Sequence, residues 1–170
     1  MSKTNKGITF KGNALTLQGT ELKEGTRMPS FKLTAGDMSD LASESFNNKA
    51  LIISVVPSLD TPVCSIQTKR FNQETSSLGS NVVVLTVSLD LPFAQKRWCG
   101  AEGVENVVVA SDYKYREFGE KFGVHIKEWG LLSRALFVVD ASGIIKHVEY
   151  VQDISNEPDY VTALTAAKTA

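Results

Sequence analysis

The chain has 170 residues, 42% of them hydrophobic, and its 18 lysines and arginines nearly balance its 19 aspartates and glutamates. At about 150 residues per domain, this length predicts one domain over residues 1–170. A net charge of −1 with interspersed signs argues against binding to nucleic acid, which needs a concentrated positive patch. No apolar run approaches the roughly 18 residues of a membrane-spanning helix, so we expect no membrane association.

The start of the chain and its two cysteines both favour a cytoplasmic location. Residues 1–6 are not followed by the apolar run of a secretory signal. Two cysteines in 170 residues are far from a disulfide-rich secreted composition. In a reducing compartment, a cysteine pair is more often reactive than structural.

The first predicted element is a β-hairpin, because residues 8–17 alternate apolar and polar side chains around Gly12 and Asn13. A turn-rich connection over residues 25–31 follows. The apolar run 51–56 ends at a proline and is typical of a strand buried on both faces.

The middle of the chain alternates helices and strands. Residues 65–78 are predicted to be helical from a loose apolar stripe, which consists of Ile66, Phe71 and Leu78. Residues 81–87 and 107–110 are apolar strands, and the intervening residues 92–102 favour a helix that begins at Pro92.

The last third of the chain contains a short helix, a hairpin and a final helix. An aromatic stripe that ends at Gly123 predicts the short helix with its rings in the core; the stripe consists of Tyr115, Phe118 and Phe122. Apolar runs at 135–139 and 144–148 flank a turn at 140–143, which predicts the hairpin. Another helix is predicted after Pro158.

Alternating strands and helices imply right-handed crossovers and a parallel part of the sheet, whereas the hairpins imply an antiparallel part. The predicted fold class is therefore α/β, with a mixed central sheet flanked by helices and an N-terminal β-hairpin.

The most informative segment lies where the strand before Pro57 gives way to a helix. Thr61 is a good N-cap and Pro62 a good first helical residue, so Cys64 falls at the third helical position. A thiol there faces unpaired N–H groups and the positive end of the helix dipole, which favours the thiolate. Open α/β sheets usually hold their sites at this end of a strand.

An acidic thiol is not by itself a fast catalyst, because lower basicity reduces nucleophilicity and leaves only a few-fold net gain. Donors must also point at the charge that develops on the group under attack. The helix N–H groups, the Thr61 hydroxyl and a fixed arginine are candidates for these donors.

Each residue also has a simpler interpretation. Cys64 alone could be a small buried hydrophobe, and Cys99 an ordinary helical residue or half of a permanent disulfide. Arg134 alone could be a surface charge. His125 and His147 lack the spacing of a zinc site, so we predict no metal. The absence of Cys-x-x-Cys argues against a thioredoxin-type disulfide reductase.

The frame Pro57-x-x-x-Thr61-x-x-Cys64 resembles the active-site motif of the peroxiredoxins. Four longer strings are similar to one branch of that family, the bacterial thiol peroxidases, which are atypical two-cysteine peroxiredoxins. The strings are residues 57–64, 93–103, 131–135 and 157–160. With the amino-terminal hairpin and the chain length, the resemblance covers nearly the whole sequence.

The resemblance implies a thioredoxin-like fold and a peroxidase of hydrogen peroxide and organic hydroperoxides that needs no cofactor. Cys64 would be the peroxidatic thiolate, and Cys99 would resolve its sulfenic acid to an intrachain disulfide that thioredoxin reduces. Thr61 and Arg134 would bind the thiolate and the peroxide, and Pro57 would shield the pocket. The resemblance also implies a homodimer.

Two other functions stay open on the residues alone. A thioredoxin-fold redox sensor or binding module would use the Cys64–Cys99 disulfide as a switch with slow turnover. A protein without redox function would carry both cysteines incidentally, and alkylating them would then leave its activity unchanged.

Overall fold

The computed structural model describes the backbone of residues 3–170 and the side chains of residues 6–170. Within this range the strands form a seven-stranded mixed sheet and a four-stranded antiparallel sheet. Met1 and Ser2, the first residues of the segment predicted to lack a secretory signal, lie outside the described residues. No helix in the described part of the chain is both long enough and apolar enough to cross a membrane.

The strands are short, and most belong to the large sheet. In chain order they are β1 (Lys3–Phe10), β2 (Asn13–Thr20), β3 (Lys32–Ala35), β4 (Asp40–Ala42), β5 (Ala50–Val55), β6 (Val82–Ser88), β7 (Val108–Ser111), β8 (His125–Ile126), β9 (Leu131–Leu132), β10 (Ala135–Val139) and β11 (Ile145–Tyr150). The spatial order is β11-β10-β5-β6-β7-β3-β4 in the large sheet and β1-β2-β8-β9 in the small one.

The predicted mixed sheet is confirmed, because β5, β6 and β7 are parallel while β10 and β3 join them antiparallel on either side. The helices are α1 (Pro62–Glu74), α2 (Pro92–Glu102), α3 (Phe118–Lys121) and α4 (Tyr160–Lys168), with 3₁₀ turns at Ser43–Phe46 and Thr75–Ser77.

The helices bury both faces of the central strands. On one face Phe71 of α1 packs against Tyr160 of α4, over alternate residues of β5, β6 and β10. On the other face Phe118 and Phe122 stack with their ring centroids 4.1 Å apart. Every residue of β5 is therefore buried, as the sequence predicts for a central strand.

Both hairpins are confirmed, but the first turn differs by one residue. Lys11 and Gly12 form it with φ of 49° and 81°, and Asn13 already begins β2. Two positive φ values in a two-residue turn match the right-handed twist of the strands that it connects.

Two of the predicted apolar stripes are partly wrong. Ile66 is 50% exposed, so the buried face of α1 is carried by other residues, among them Gln67. Tyr115 precedes the short helix, and its hydroxyl donates to Asp40 at 2.7 Å. The helix begins only at Phe118, because Asp112 accepts hydrogen bonds from the first N–H groups there.

Candidate active site

The segment from Pro57 to Cys64 folds as its local sequence predicts. Thr61 is the N-cap of α1 with an extended backbone, φ −128° and ψ 151°, as expected for a residue before proline. Pro62 is the first helical residue and Cys64 the third, at the carboxyl end of β5. The Thr61 hydroxyl makes no capping bond; it donates to the Ser58 carbonyl at 2.7 Å.

A buried arginine contacts the Cys64 thiol. Nη2 of Arg134 donates to Cys64 Sγ at 3.5 Å, and the two residues are 3% and 0% exposed. Arg134 directly precedes β10, which is the antiparallel neighbour of β5. A guanidinium cation beside a thiol stabilises the thiolate, and more so when water is excluded.

Three further bonds fix the Arg134 guanidinium. Nε and Nη2 donate to the Ile154 carbonyl at 3.0 and 2.9 Å, and Nη1 donates to Gln67 Oε1 at 2.9 Å. The Gln67 amide in turn donates to the Ser54 hydroxyl at 2.7 Å. The cation is therefore held against Cys64 by groups from β5, α1 and the segment after β11.

The Ile154 carbonyl is positioned through its neighbour Asp153. The Asp153 carboxylate accepts from the Thr9 hydroxyl at 2.8 Å and from the Gly12 N–H at 3.1 Å, which joins this segment to the first hairpin. Hydrogen bonds from the Ser155 and Thr9 hydroxyls hold the pKa of Asp153 well below its usual range. The amino-terminal hairpin thus contributes to the placement of Arg134.

Sequence reasoning missed Gln67, although one signal was available. Gln67 lies three residues after Cys64, so both occupy the same face of α1, and that face is the buried one. A fully buried amide needs partners for its donor and acceptor groups, and Arg134 and Ser54 supply them. No feature of the sequence pointed to the Ile154 carbonyl, because every residue carries a backbone carbonyl.

Replacing Gln67 with methionine should weaken both the fold and the arginine clamp. The change leaves Arg134 Nη1 and the Ser54 hydroxyl buried without partners, at a cost of about 2 kcal/mol in the free energy of unfolding. We expect slower oxidation of Cys64 by peroxide in stopped-flow measurements. Gln67→Glu keeps an acceptor for Arg134 and should recover only part of the rate, because its carboxylate offsets the guanidinium charge. A wild-type rate in Gln67→Met would contradict the positioning role.

A cleft of about 500 Å³ opens beside this cluster and is lined by Pro57, Thr61 and Arg134. Its other walls are mostly apolar side chains, including Phe10, Val63, Trp129, Leu131 and Ile154. Cys64 is not among the described residues that line the cleft; its sulfur lies behind the wall and contacts Arg134. The cleft thus brings together three of the predicted site residues, and Arg134 connects them to Cys64.

Cys99 lies elsewhere, near the end of α2. Its thiol is free, like that of Cys64, and burial raises the pKa of the Cys99 thiol. It lines a separate cavity of about 190 Å³ together with Lys96. Its neighbour Trp98 packs in the same apolar cluster as Cys64. Cys64 is thus buried in a cluster that Cys99 borders, and of the two only Cys99 lines a cavity.

Neither histidine takes part in this arrangement. His125 borders a small cavity with Asp112 and Arg116, and His147 Nδ1 lies 3.8 Å from a carboxylate oxygen of Glu24. Within the described residues, no group of three or more His, Cys, Asp or Glu side chains is arranged to hold a metal ion.

Comparison with protein families places residues 23–164 in the family described as redoxin. A thiol peroxidase of Streptococcus pneumoniae is 49% identical over 161 residues, which cover 95% of this chain and 98% of the relative. A thiol peroxidase of Oceanobacillus iheyensis is 51% identical over 158 residues, covering 93% and 96%.

Solved structures give the same match. A peroxiredoxin-like protein from Aquifex aeolicus superposes with a TM-score of 0.90 at 39% identity, covering 99% of both chains. A thiol peroxidase from Chromobacterium violaceum superposes with a TM-score of 0.86 over 94% of both chains, and at 21% identity it supports the fold alone. The predicted thioredoxin-like fold is confirmed.

Proposed function

Because this chain belongs to the redoxin family and, within it, to the thiol peroxidases, we propose that Cys64 is the thiolate that reduces hydrogen peroxide and organic hydroperoxides. The observation that carries this proposal is the buried bond from Arg134 Nη2 to Cys64 Sγ at 3.5 Å. It stabilises the thiolate at the first turn of α1 and places a fixed donor in the wall of a cleft.

In the first step the Cys64 thiolate attacks the terminal oxygen of the hydroperoxide. An S–O bond forms, the O–O bond breaks, and the leaving oxygen takes a proton to become water or an alcohol; the sulfur is oxidised to a sulfenic acid. Arg134 stabilises the charge that develops on the peroxide oxygens, and the Thr61 hydroxyl, which donates to the Ser58 carbonyl, accepts a hydrogen bond from the hydroperoxide O–H. Pro57 shields the pocket from water.

In the second step the Cys99 thiol attacks the sulfenic sulfur. An S–S bond forms, the S–O bond breaks, and the oxygen leaves as water with the thiol proton. Because the two free thiols belong to different helices and a disulfide needs Cα atoms within about 7 Å, one or both helices unwind locally to close it. Gly100 and Gly103 loosen the end of α2, where Gly103 has φ 67°. Thioredoxin then reduces the disulfide.

Three further properties complete the proposal. The protein acts in the cytoplasm as a homodimer, and residues 1–170 form one domain. Its sequence length and composition support the single domain and the location, and the family resemblance supports the dimer. Sedimentation equilibrium of the reduced protein would test the dimer, and a monomer at micromolar concentration would contradict it.

The function is tested by steady-state turnover. Reduced protein is mixed with thioredoxin, thioredoxin reductase and NADPH, and then with hydrogen peroxide or a bulky alkyl hydroperoxide. We expect many equivalents of peroxide to be consumed per protein. Consumption of a single equivalent without recycling would contradict a peroxidase and favour the redox switch.

Replacing Cys99 with serine should separate the two steps. Cys64 should still reduce one equivalent of peroxide, because its surroundings are unchanged, but no disulfide can form for thioredoxin to reduce. Mass spectrometry should find Cys64 as sulfenic and then sulfinic acid. Cys99→Ala should behave in the same way, and a recyclable disulfide in either variant would contradict the resolving role.

A further inference from the structure

The carboxylate of Asp90 connects the loop before Cys64 to the loop before α2. Asp90 follows β6 and lies two residues before the start of α2. Its Oδ1 accepts from the Ser58 hydroxyl at 2.7 Å, and its Oδ2 accepts from the Leu59 N–H at 2.8 Å and the Ser88 hydroxyl at 2.7 Å. Three donors from two segments therefore converge on one carboxylate.

These bonds continue toward the Cys64 side. The Ser58 hydroxyl that donates to Asp90 accepts from the Asp60 N–H at 3.2 Å. The Ser58 carbonyl accepts from the Thr61 hydroxyl at 2.7 Å. Asp90 therefore fixes loop 57–61, which carries three of the residues that line the cleft.

They continue equally toward the Cys99 side. The Ser88 hydroxyl that donates to Asp90 accepts from the buried amide of Gln95 at 3.0 Å, and the same amide donates to the Ala110 carbonyl. Gln95 lies one helical turn before Cys99 on α2. A continuous set of hydrogen bonds thus connects the segments that hold the two thiols.

The space around Asp90 leaves loop 57–61 room to move. A cavity of about 120 Å³ separates this loop from α2 and is lined by Ser58, Leu59, Asp90, Ala94 and Trp98, among others. Leu59 of this loop packs in one apolar cluster with Trp98 of α2, and the bonds to Asp90 add a polar attachment beside that contact.

We propose that Asp90 is a positioning residue that fastens loop 57–61 to the start of α2 in the reduced protein and thereby slows the movement that joins Cys64 to Cys99. The proposal rests on the roles proposed above for the two thiols. The step under restraint is the second one, in which the S–S bond forms, the S–O bond breaks and water leaves.

Loss of the attachment should change the two steps in opposite directions. Attack on peroxide needs Thr61 in place, so its second-order rate constant should fall. Disulfide formation needs Cys64 to move toward the loosened end of α2, and loop 57–61 opposes this movement while Asp90 holds it, so the first-order rate constant should rise. We expect the rate constant of disulfide formation to rise about tenfold. A factor of ten corresponds to about 1.4 kcal/mol, and a hydrogen bond to a charged group stabilises by more than this.

The experiment measures both rate constants in Asp90→Ala by rapid quenching and mass spectrometry, which count sulfenic acid and disulfide over time. We expect disulfide formation about tenfold faster, slower oxidation, and less sulfinic acid at high peroxide because the sulfenic acid is shorter-lived. The proposal would be overturned if both rate constants were unchanged or if both fell by the same factor.

Two milder variants keep the test decisive if Asp90→Ala does not fold. Ser58→Ala removes the bond to Oδ1, and Asp90→Asn replaces one acceptor oxygen with an NH2 group that cannot accept. Each should raise the ratio of disulfide formation to oxidation, and an unchanged ratio in both would overturn the proposal. Asp140→Asn is the matched control, because Asp140 accepts from Ser142 and Ile144 in the distant β10–β11 turn. It should leave the ratio at the wild-type value.

The wild-type protein separates this proposal from the one on which it rests. If wild-type protein forms no sulfenic acid at Cys64 or no Cys64–Cys99 disulfide, the proposed function fails. If it forms both and the Asp90 and Ser58 variants keep the wild-type ratio, only the role of Asp90 fails.

Discussion

Cys64→Ser should reduce peroxide no faster than protein-free buffer, a loss of at least about a thousandfold. A serine hydroxyl is not ionised at neutral pH even beside Arg134, and its oxygen cannot accept a second oxygen atom as sulfur does in a sulfenic acid. A thousandfold is about 4 kcal/mol, which is well within the acceleration that enzymes provide. Peroxide consumption coupled to NADPH oxidation gives the measurement.

The fold should survive this substitution, which makes the loss of activity interpretable. Serine is close to cysteine in size and still offers Arg134 an acceptor, so the guanidinium keeps its bonds to Gln67 and Ile154. The free energy of unfolding should fall by no more than about 2 kcal/mol. Retained turnover in the folded variant, lost only when Cys99 is also replaced, would move the nucleophile to Cys99.

The local part of the site could be predicted from the sequence, because it depends on neighbours in the chain. An apolar strand before Pro57 and proline at the first helical position fix where α1 begins, and with it the place of Cys64. Pro92 fixes the start of α2 in the same way, and that helix has the predicted bounds. Proline determines its own φ and removes a donor that a helix start does not use.

The remote part of the site could not be predicted from local pattern. The partners of Arg134 lie 20 and 67 positions away along the chain, at the Ile154 carbonyl and the Gln67 amide. The position of Arg134 before an apolar strand made it noticeable, and the family resemblance then selected it among the charged residues. Gln67 was overlooked because a polar residue on a helix is usually exposed; here the buried guanidinium needs its oxygen.

Errors in the helices have a related cause. Ile66 is apolar and yet half exposed, because α1 directs Cys64, Gln67, Thr68 and Phe71 inward instead. Hydrophobic periodicity assumes that apolar side chains are the buried ones. A helix whose inner face carries a thiol and an amide departs from that assumption. Local pattern is thus least reliable where the chain places polar groups for chemistry.

Arg134→Ala should slow the oxidation of Cys64 by about 100- to 1,000-fold, or about 3–4 kcal/mol of activation free energy, the range seen when a transition-state donor is removed. The variant loses a cation 3.5 Å from the sulfur and a fixed donor in the cleft wall. The second-order rate constant with hydrogen peroxide, measured by stopped flow, is the relevant quantity.

Arg134→Lys should recover only part of this rate. A lysine keeps the positive charge, but one ammonium group cannot reach Gln67, the Ile154 carbonyl and the sulfur in the planar geometry of a guanidinium. Arg27→Ala is the matched control, because Arg27 is exposed and donates to the Ser142 carbonyl in the distant β10–β11 turn. If Arg134→Ala oxidises as fast as Arg27→Ala, the arginine stabilises the fold alone and the donor to the peroxide must be sought among the N–H groups of α1.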